Sequence, residues 1–106
     1  MSKKPRPARP LRPATQLVRG GLMRSNFDEL AEAMYLTSGF VYDSAAQAEG
    51  TFAGTEVHYQ YSRFGNPTVS MLEGRLAALE GAEACRATAT GMAAVHSAML
   101  SHLKAG

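Results

Sequence analysis

Apolar residues fall into helical spacing most clearly after Pro67. Val69, Leu72, Leu76 and Leu79 recur at intervals of three, four and three, while Glu73, Arg75 and Glu80 point elsewhere. That period marks a one-sided helix. Asn66 places a side-chain cap before a proline at the first helical position, and Gly81 follows as a left-handed stop. A helix is therefore predicted from about Pro67 to Glu80. Thr90-Gly91 opens a second, with Met92, Val95, Met99 and Leu103 on one face. Lys104 suits its C-terminal end electrostatically and Gly106 suits its stop. Ala84 to Ala89, between the two helices, reads as a short strand of mediocre strand formers.

Earlier in the chain the signals are shorter. Phe27, Leu30, Ala31 and Met34 fall at spacings of three, one and three, which predicts a helix over Asn26 to Tyr35 with Asn26 as its cap. Residues 35–42, YLTSGFVY, are aromatic and β-branched and read as extended. Ser44 to Phe52 is alanine-rich. It is predicted to form a short helix capped by Asp43 or Ser44 and ended near Gly54.

Helix, strand, helix is the opening of an α/β domain with a largely parallel sheet. Such a sheet needs several strands covered by crossover helices. One strand in 106 residues therefore reads as the start of a larger domain.

Charge divides the chain. Residues 1–24 carry seven basic side chains, no acid and four of the five prolines, whereas residues 25–106 carry four basic residues against nine acids, a formal −5. The net +2 is thus a basic leader on an acidic body. Proline resists helix, so the leader is expected to be extended and mobile. No aromatic residue interleaves with its charges, so it reads as a solubilising tail or an arm that orders against a partner. Nucleic acid is not the expected partner. The prolines also argue against the amphipathic helix of a transit peptide. The expected organisation is a leader over 1–24, an arm with short helices over 25–66, and the start of an α/β domain over 67–106. No apolar run approaches the roughly 20 residues of a membrane helix, and no secretory segment opens the chain. An intracellular, cytoplasmic protein is expected. The lone Cys85 excludes an internal disulfide.

Two segments have the composition of anion sites. In Thr88-Ala89-Thr90-Gly91-Met92-Ala93-Ala94 a turn of small residues leads into a helix. The first amides of a helix lack partners and stand at its positive end, and glycine admits a close ligand. The turn suits a phosphate or carboxylate, with Thr90 as an extra donor, and equally suits an ordinary strand–helix connection. In Tyr59-Gln60-Tyr61-Ser62-Arg63-Phe64-Gly65-Asn66-Pro67-Thr68, Tyr61 and Arg63 lie two apart and project to one side of an extended segment. A phenol beside a guanidinium makes a phosphate clamp, although a solvated arginine on a surface loop has the same spacing. His58, His96 and His102 form no metal pattern. Cys85 has no base nearby and reads as a small buried apolar residue. Asp28, Glu29 and Glu32 read as acidic first turns of a helix. No carboxylate pair forms an acid–base couple.

Taken together, Tyr61-Ser62-Arg63-Phe64-Gly65-Asn66-Pro67-Thr68 and Ala89-Thr90-Gly91-Met92-Ala93-Ala94 resemble the N-terminal part of the cysteine/methionine-metabolism family of pyridoxal-phosphate enzymes. The resemblance covers about residues 15–106. The stretches Thr15 to Gly21 and Ala33 to Tyr42 are most similar to members that replace the succinyloxy group of O-succinylhomoserine with sulfide. It implies a type I, aspartate aminotransferase-like fold, pyridoxal 5'-phosphate as cofactor, and a dimer of dimers. Tyr61 and Arg63 would reach the cofactor phosphate of a neighbouring subunit. Gly91 and Met92, with Thr90 beside them, would hold the phosphate of their own. It further implies that the cofactor-binding lysine, the aspartate facing the pyridine nitrogen and the stacking tyrosine lie beyond Gly106. No catalytic residue is expected within these 106 residues, and the isolated chain is expected to be inactive. The reaction implied is γ-replacement on a homoserine ester, with cystathionine synthesis or lysis as the alternative in the family. The alternative from another class is a non-catalytic binding protein with a basic arm.

Overall fold

The computed structural model describes residues 10–104. Most of the basic leader (Lys3, Lys4, Arg6 and Arg9) and the expected stop at Gly106 lie outside them. The described residues form four helices: α1 (Pro13–Arg19), α2 (Ala45–Phe52), α3 (Pro67–Glu80) and α4 (Gly91–His102).

The two later helices begin at the expected positions, and α3 also ends at its expected stop. Asn66 caps α3 by accepting from the Thr68 N–H, Pro67 takes the first position, and Gly81 closes the helix at φ 63°. Thr90 caps α4 by accepting from the Ala93 N–H. Of the two caps considered for α2, the structure selects Ser44, which accepts from the Gln47 N–H.

α1 corrects the expected extended leader. Pro13 sits in its first turn, where proline needs no donor and its fixed φ suits the helix. The helix packs on α3. Gly21 follows at φ +68°, and a Cβ there would stand 2.7 Å from the Met71 carbonyl oxygen. Glycine is thus required by conformation and by space. The contact also corrects the expected core. The leucine stripe of α3 is half exposed, with Val69 at 41% and Leu72 at 48%. The face turned inward instead carries Pro67 and Met71, and Met71 is the largest fully buried side chain. Arg75 completes this face. Its Nε donates to the Gly20 carbonyl at 2.9 Å, and its guanidinium pairs with Glu32.

The helix expected over Asn26 to Tyr35 is absent. The Glu29 carboxylate accepts from the Ser25 N–H at 2.8 Å and from its hydroxyl at 2.7 Å, and Asp28 adopts φ 53°. These local bonds compete with helix, and the positive φ breaks it. Phe27, Leu30 and Met34 remain exposed, so no packed face supports a helix. The acids expected in a first turn act otherwise, Glu29 closing the Ser25 turn and Glu32 pairing with Arg75.

Residues 35–42 are extended, as expected. Gly39 and Tyr61 form an antiparallel bridge, and the Ser62 N–H donates to the Ser38 carbonyl at 2.9 Å. Behind this bridge Phe40 meets Tyr59 at 5.4 Å between ring centres, and Tyr42 meets His58 at 5.0 Å. The strand expected over Ala84 to Ala89 has no ladder partner among the described residues. The segment is extended, but a strand requires a neighbour to exchange hydrogen bonds with. α4 packs against none of the other three helices. The radius of gyration is 17.2 Å, against about 13 Å for a compact domain of this length. The described residues therefore do not close a core of their own.

Candidate functional site

Tyr61 and Arg63 are held by an anchored loop. The Gly39–Tyr61 bridge fixes one end. The other end rests on Asn66, only 6% exposed. Its amide nitrogen donates to the Tyr35 carbonyl at 2.9 Å and to the Ser62 hydroxyl at 3.0 Å, while its oxygen caps α3. Thr68 Oγ1 accepts from the Tyr35 N–H at 2.9 Å, so α3 grips the Tyr35 backbone on both sides. The Ser62 hydroxyl donates to the Thr37 carbonyl. On this frame the Arg63 guanidinium carbon lies 5.4 Å from the Tyr61 ring centre and 5.5 Å from that of Phe64. Cation–π contact at this range pre-orients the guanidinium while its N–H edges stay available. Both side chains are exposed.

Behind the loop lies an open cleft of about 300 Å³, reached by Arg63, Asn66, Val69, Glu73, Arg86 and Ala87. Glu73, on α3, accepts from the Ala87 N–H at 2.8 Å and from the Arg86 guanidinium at 3.1 Å. It thus ties the extended segment to the helix.

That segment leads to the N-terminus of α4. The Thr88 hydroxyl donates to the Thr90 carbonyl at 2.8 Å, and Thr90 Oγ1 takes the Ala93 amide at 3.1 Å. The Thr90 hydroxyl oxygen is therefore engaged as a cap. The amides of Gly91 and Met92 donate to no acceptor among the described residues. A Cβ built on Gly91 would meet nothing within 4 Å. The turn offers two parallel donors and open approach.

The structure brings Tyr61 and Arg63 together, and Thr90, Gly91 and Met92 together. No hydrogen bond joins the two groups among the described residues. His58 donates through Nδ1 to the Tyr59 carbonyl at 2.6 Å and stacks on Tyr42. His96 and His102 are exposed on α4, and Cys85 is half-buried. No cluster that could hold a metal occurs among the described residues. Sequence reasoning missed Asn66 as a knot and placed Glu73 and Arg75 only off the apolar stripe. None of these roles has a periodic signal, because each depends on contacts across 13 or more residues.

Residues 14–106 match the Cys/Met metabolism PLP-dependent enzyme family. The chain belongs to that family. It is 62% identical over 93 residues to an O-succinylhomoserine sulfhydrylase of Mycobacterium tuberculosis, covering 88% of this chain and 23% of that protein. It is 44% identical over 92 residues to an L-methionine gamma-lyase of Fusobacterium nucleatum, covering 87% of this chain and 23% of the relative. Its fold is similar to the crystal structure of a protein assigned as an O-acetylhomoserine (thiol)-lyase of Campylobacter jejuni. The TM-score is 0.84 at 27% identity, over 91% of this chain and 24% of that one. That structure carries N'-pyridoxyl-lysine-5'-monophosphate. The chain thus spans about a quarter of the length of the relatives it matches.

The fold is accordingly the opening of a type I pyridoxal-phosphate enzyme, and the cofactor of the family is pyridoxal 5'-phosphate. The residues present fit the phosphate end of that group. Gly91 and Met92 supply unpaired amides at a helix N-terminus, no carboxylate lies in the turn, and the space before Gly91 is clear. Arg63 and Tyr61 offer a second set of donors suited to the same dianion.

Proposed function

We propose that this chain is the phosphate-anchoring part of a pyridoxal-phosphate-dependent sulfhydrylase, which converts O-succinylhomoserine and sulfide into homocysteine and succinate in methionine biosynthesis. The observation that carries the reading is the unpaired Gly91–Met92 amide pair at the capped start of α4, in a chain of this family. The 62% identity to an O-succinylhomoserine sulfhydrylase supports the choice of reaction over the lyase chemistry named for relatives at 44%.

The roles divide as follows. Gly91 and Met92 bind the phosphate of their own subunit, and Thr90 fixes the direction of their N–H groups. Arg63 and Tyr61 reach the phosphate of a second copy, which makes the active site an interface in a dimer of dimers. Met92, Val95, Met99 and Leu103 are exposed on α4, and Val69, Leu72 and Leu76 on α3. These faces would be covered by the rest of the enzyme and its partner subunit. The chemistry supplied by the bound cofactor is electron withdrawal from the substrate's α-carbon. The lysine that carries it lies beyond the residues of this chain, and Tyr61, Arg63, Gly91 and Met92 hold its phosphate in place. Organisation follows as a leader over 1–24, an arm over 25–66 and the cofactor domain from Pro67 onward, in a cytoplasmic enzyme.

Competing nucleophiles test the reaction. The full-length enzyme, given O-succinylhomoserine with equal sulfide and cysteine, is expected to form homocysteine in excess of cystathionine. Cystathionine as the main product, or methanethiol released from methionine at a higher kcat/KM, would overturn the assignment.

A further inference from the structure

We propose that Glu73 is a positioning residue for the phosphate site, one that acts through the backbone of Ala87 and never touches the cofactor. This rests on the phosphate role of Gly91 and Met92.

α4 packs against no other helix among the described residues. Among the described residues, every hydrogen bond from residues 84–104 to the rest of the chain ends on one carboxylate, that of Glu73. Its side chain is 15% exposed, and its carboxylate is held by these two hydrogen bonds. The two bonds are unequal. Arg86 is 84% exposed on its side chain, and a solvated pair of this kind contributes little. The bond that fixes geometry is the 2.8 Å contact from the Ala87 N–H to Glu73 Oε1.

Ala87 stands three residues before the Thr90 cap. The path between them is stiffened by the Thr88 hydroxyl on the Thr90 carbonyl. Glu73 therefore sets where the first turn of α4 begins relative to α3. The same α3 starts at Asn66, which anchors the Arg63 loop. One helix thus carries both phosphate elements of the subunit, the arginine loop at its start and the amide turn through Glu73 in its middle. A dianion held by two amides depends on their direction, and small displacements weaken such contacts.

The test compares pyridoxal phosphate with pyridoxal, which lacks the phosphate, in titrations of the full-length apoenzyme followed by absorbance. Glu73→Ala is expected to weaken pyridoxal phosphate about tenfold or more, as for loss of a hydrogen bond to a charged group, and to leave pyridoxal within about twofold. Glu73→Gln keeps an acceptor for the Ala87 amide and is expected to restore most of the preference. Arg86→Ala is expected to change little. Equal weakening of both ligands by Glu73→Ala would mean a merely structural role and would overturn the proposal. So would an unchanged preference in both Glu73 variants. If Glu73→Ala fails to fold, Glu73→Met, which keeps the volume and lacks an acceptor for the Ala87 amide, decides by the same two titrations: selective weakening of pyridoxal phosphate supports the proposal, and equal weakening of both ligands or none overturns it. A parent enzyme that binds both ligands equally would instead overturn the phosphate reading beneath it.

Discussion

The guanidinium of Arg63 rests 5.4 Å from the ring centre of Tyr61 and forms no salt bridge among the described residues. The other two arginines of the body, Arg75 and Arg86, are paired with Glu32 and Glu73. Arg63 is thus a positioned cation without an acidic partner among the described residues. Its replacement by alanine in the full enzyme is expected to weaken cofactor retention about tenfold to a hundredfold, through loss of a charge-assisted contact. Arg63→Lys should recover part of this, because lysine keeps the charge and loses the two-pronged geometry. Equilibrium dialysis of the holoenzyme measures both.

Gly21→Ala addresses the docking of α1. The new methyl would meet the Met71 carbonyl at 2.7 Å and the Arg75 amide at 2.8 Å, at a residue with φ +68°. Backbone on both sides cannot swing away as a side chain would. A loss of about 2–4 kcal/mol is expected, read as a lowered midpoint in urea unfolding of the full-length protein. Gly81→Ala, also at positive φ but with open space around it, is expected to cost less, about 1 kcal/mol.

Asn66→Ala removes a helix cap and two further bonds in one step. The Tyr35 carbonyl, the Ser62 hydroxyl and the Thr68 amide each lose a partner at a site that is only 6% exposed. About 2–3 kcal/mol of stability is expected to go. Cofactor affinity should fall as well, because the Arg63 loop is released. Asn66→Asp can still cap α3 but cannot donate to Tyr35. Thermal unfolding and dialysis of the two variants separate the cap from the loop anchor.

Much of this architecture was legible where the deciding bonds are local. The caps at Ser44, Asn66 and Thr90 each bind an amide two or three residues on, so the sequence names Asn66, narrows the α2 cap to Asp43 or Ser44, and places the start of α4 at Thr90-Gly91. The Gly91–Met92 turn was visible for the same reason. Long-range contacts were not. Met71 is buried because Gly21, a residue without a side chain, lets α1 approach; the leucine stripe, the louder signal, faces outward. Phe27, Leu30 and Met34 have helical spacing, yet nothing among the described residues covers them, and Ser25 with Glu29 forms a turn instead. Pro13 was grouped with its neighbours as a helix breaker, although the first turn of a helix is where proline fits. Glu73 is placed by the sequence only off the apolar stripe, because its partners lie 13 and 14 residues away.

The Ser25–Glu29 turn should respond to acid. The Ser25 N–H first, and its hydroxyl second, hold the Glu29 carboxyl below its ordinary value of 4.5. A carboxyl with a lowered folded value contributes above the unfolded value and loses that contribution as pH falls through the folded one. The turn is therefore expected to persist at neutral pH and to open below pH 4.5. The Ser25 amide resonance is the readout. It should move upfield on acidification with a midpoint under that value, and should show no such titration in Glu29→Gln.

The most direct measurement is a crystal structure of the full-length enzyme with pyridoxal phosphate bound. The expected result places phosphate oxygens within about 2.7–3.2 Å of the Gly91 and Met92 amides of one subunit and of Arg63 and Tyr61 from another. A phosphate held elsewhere, or an Arg63 left in solvent with the cofactor in place, would contradict the account.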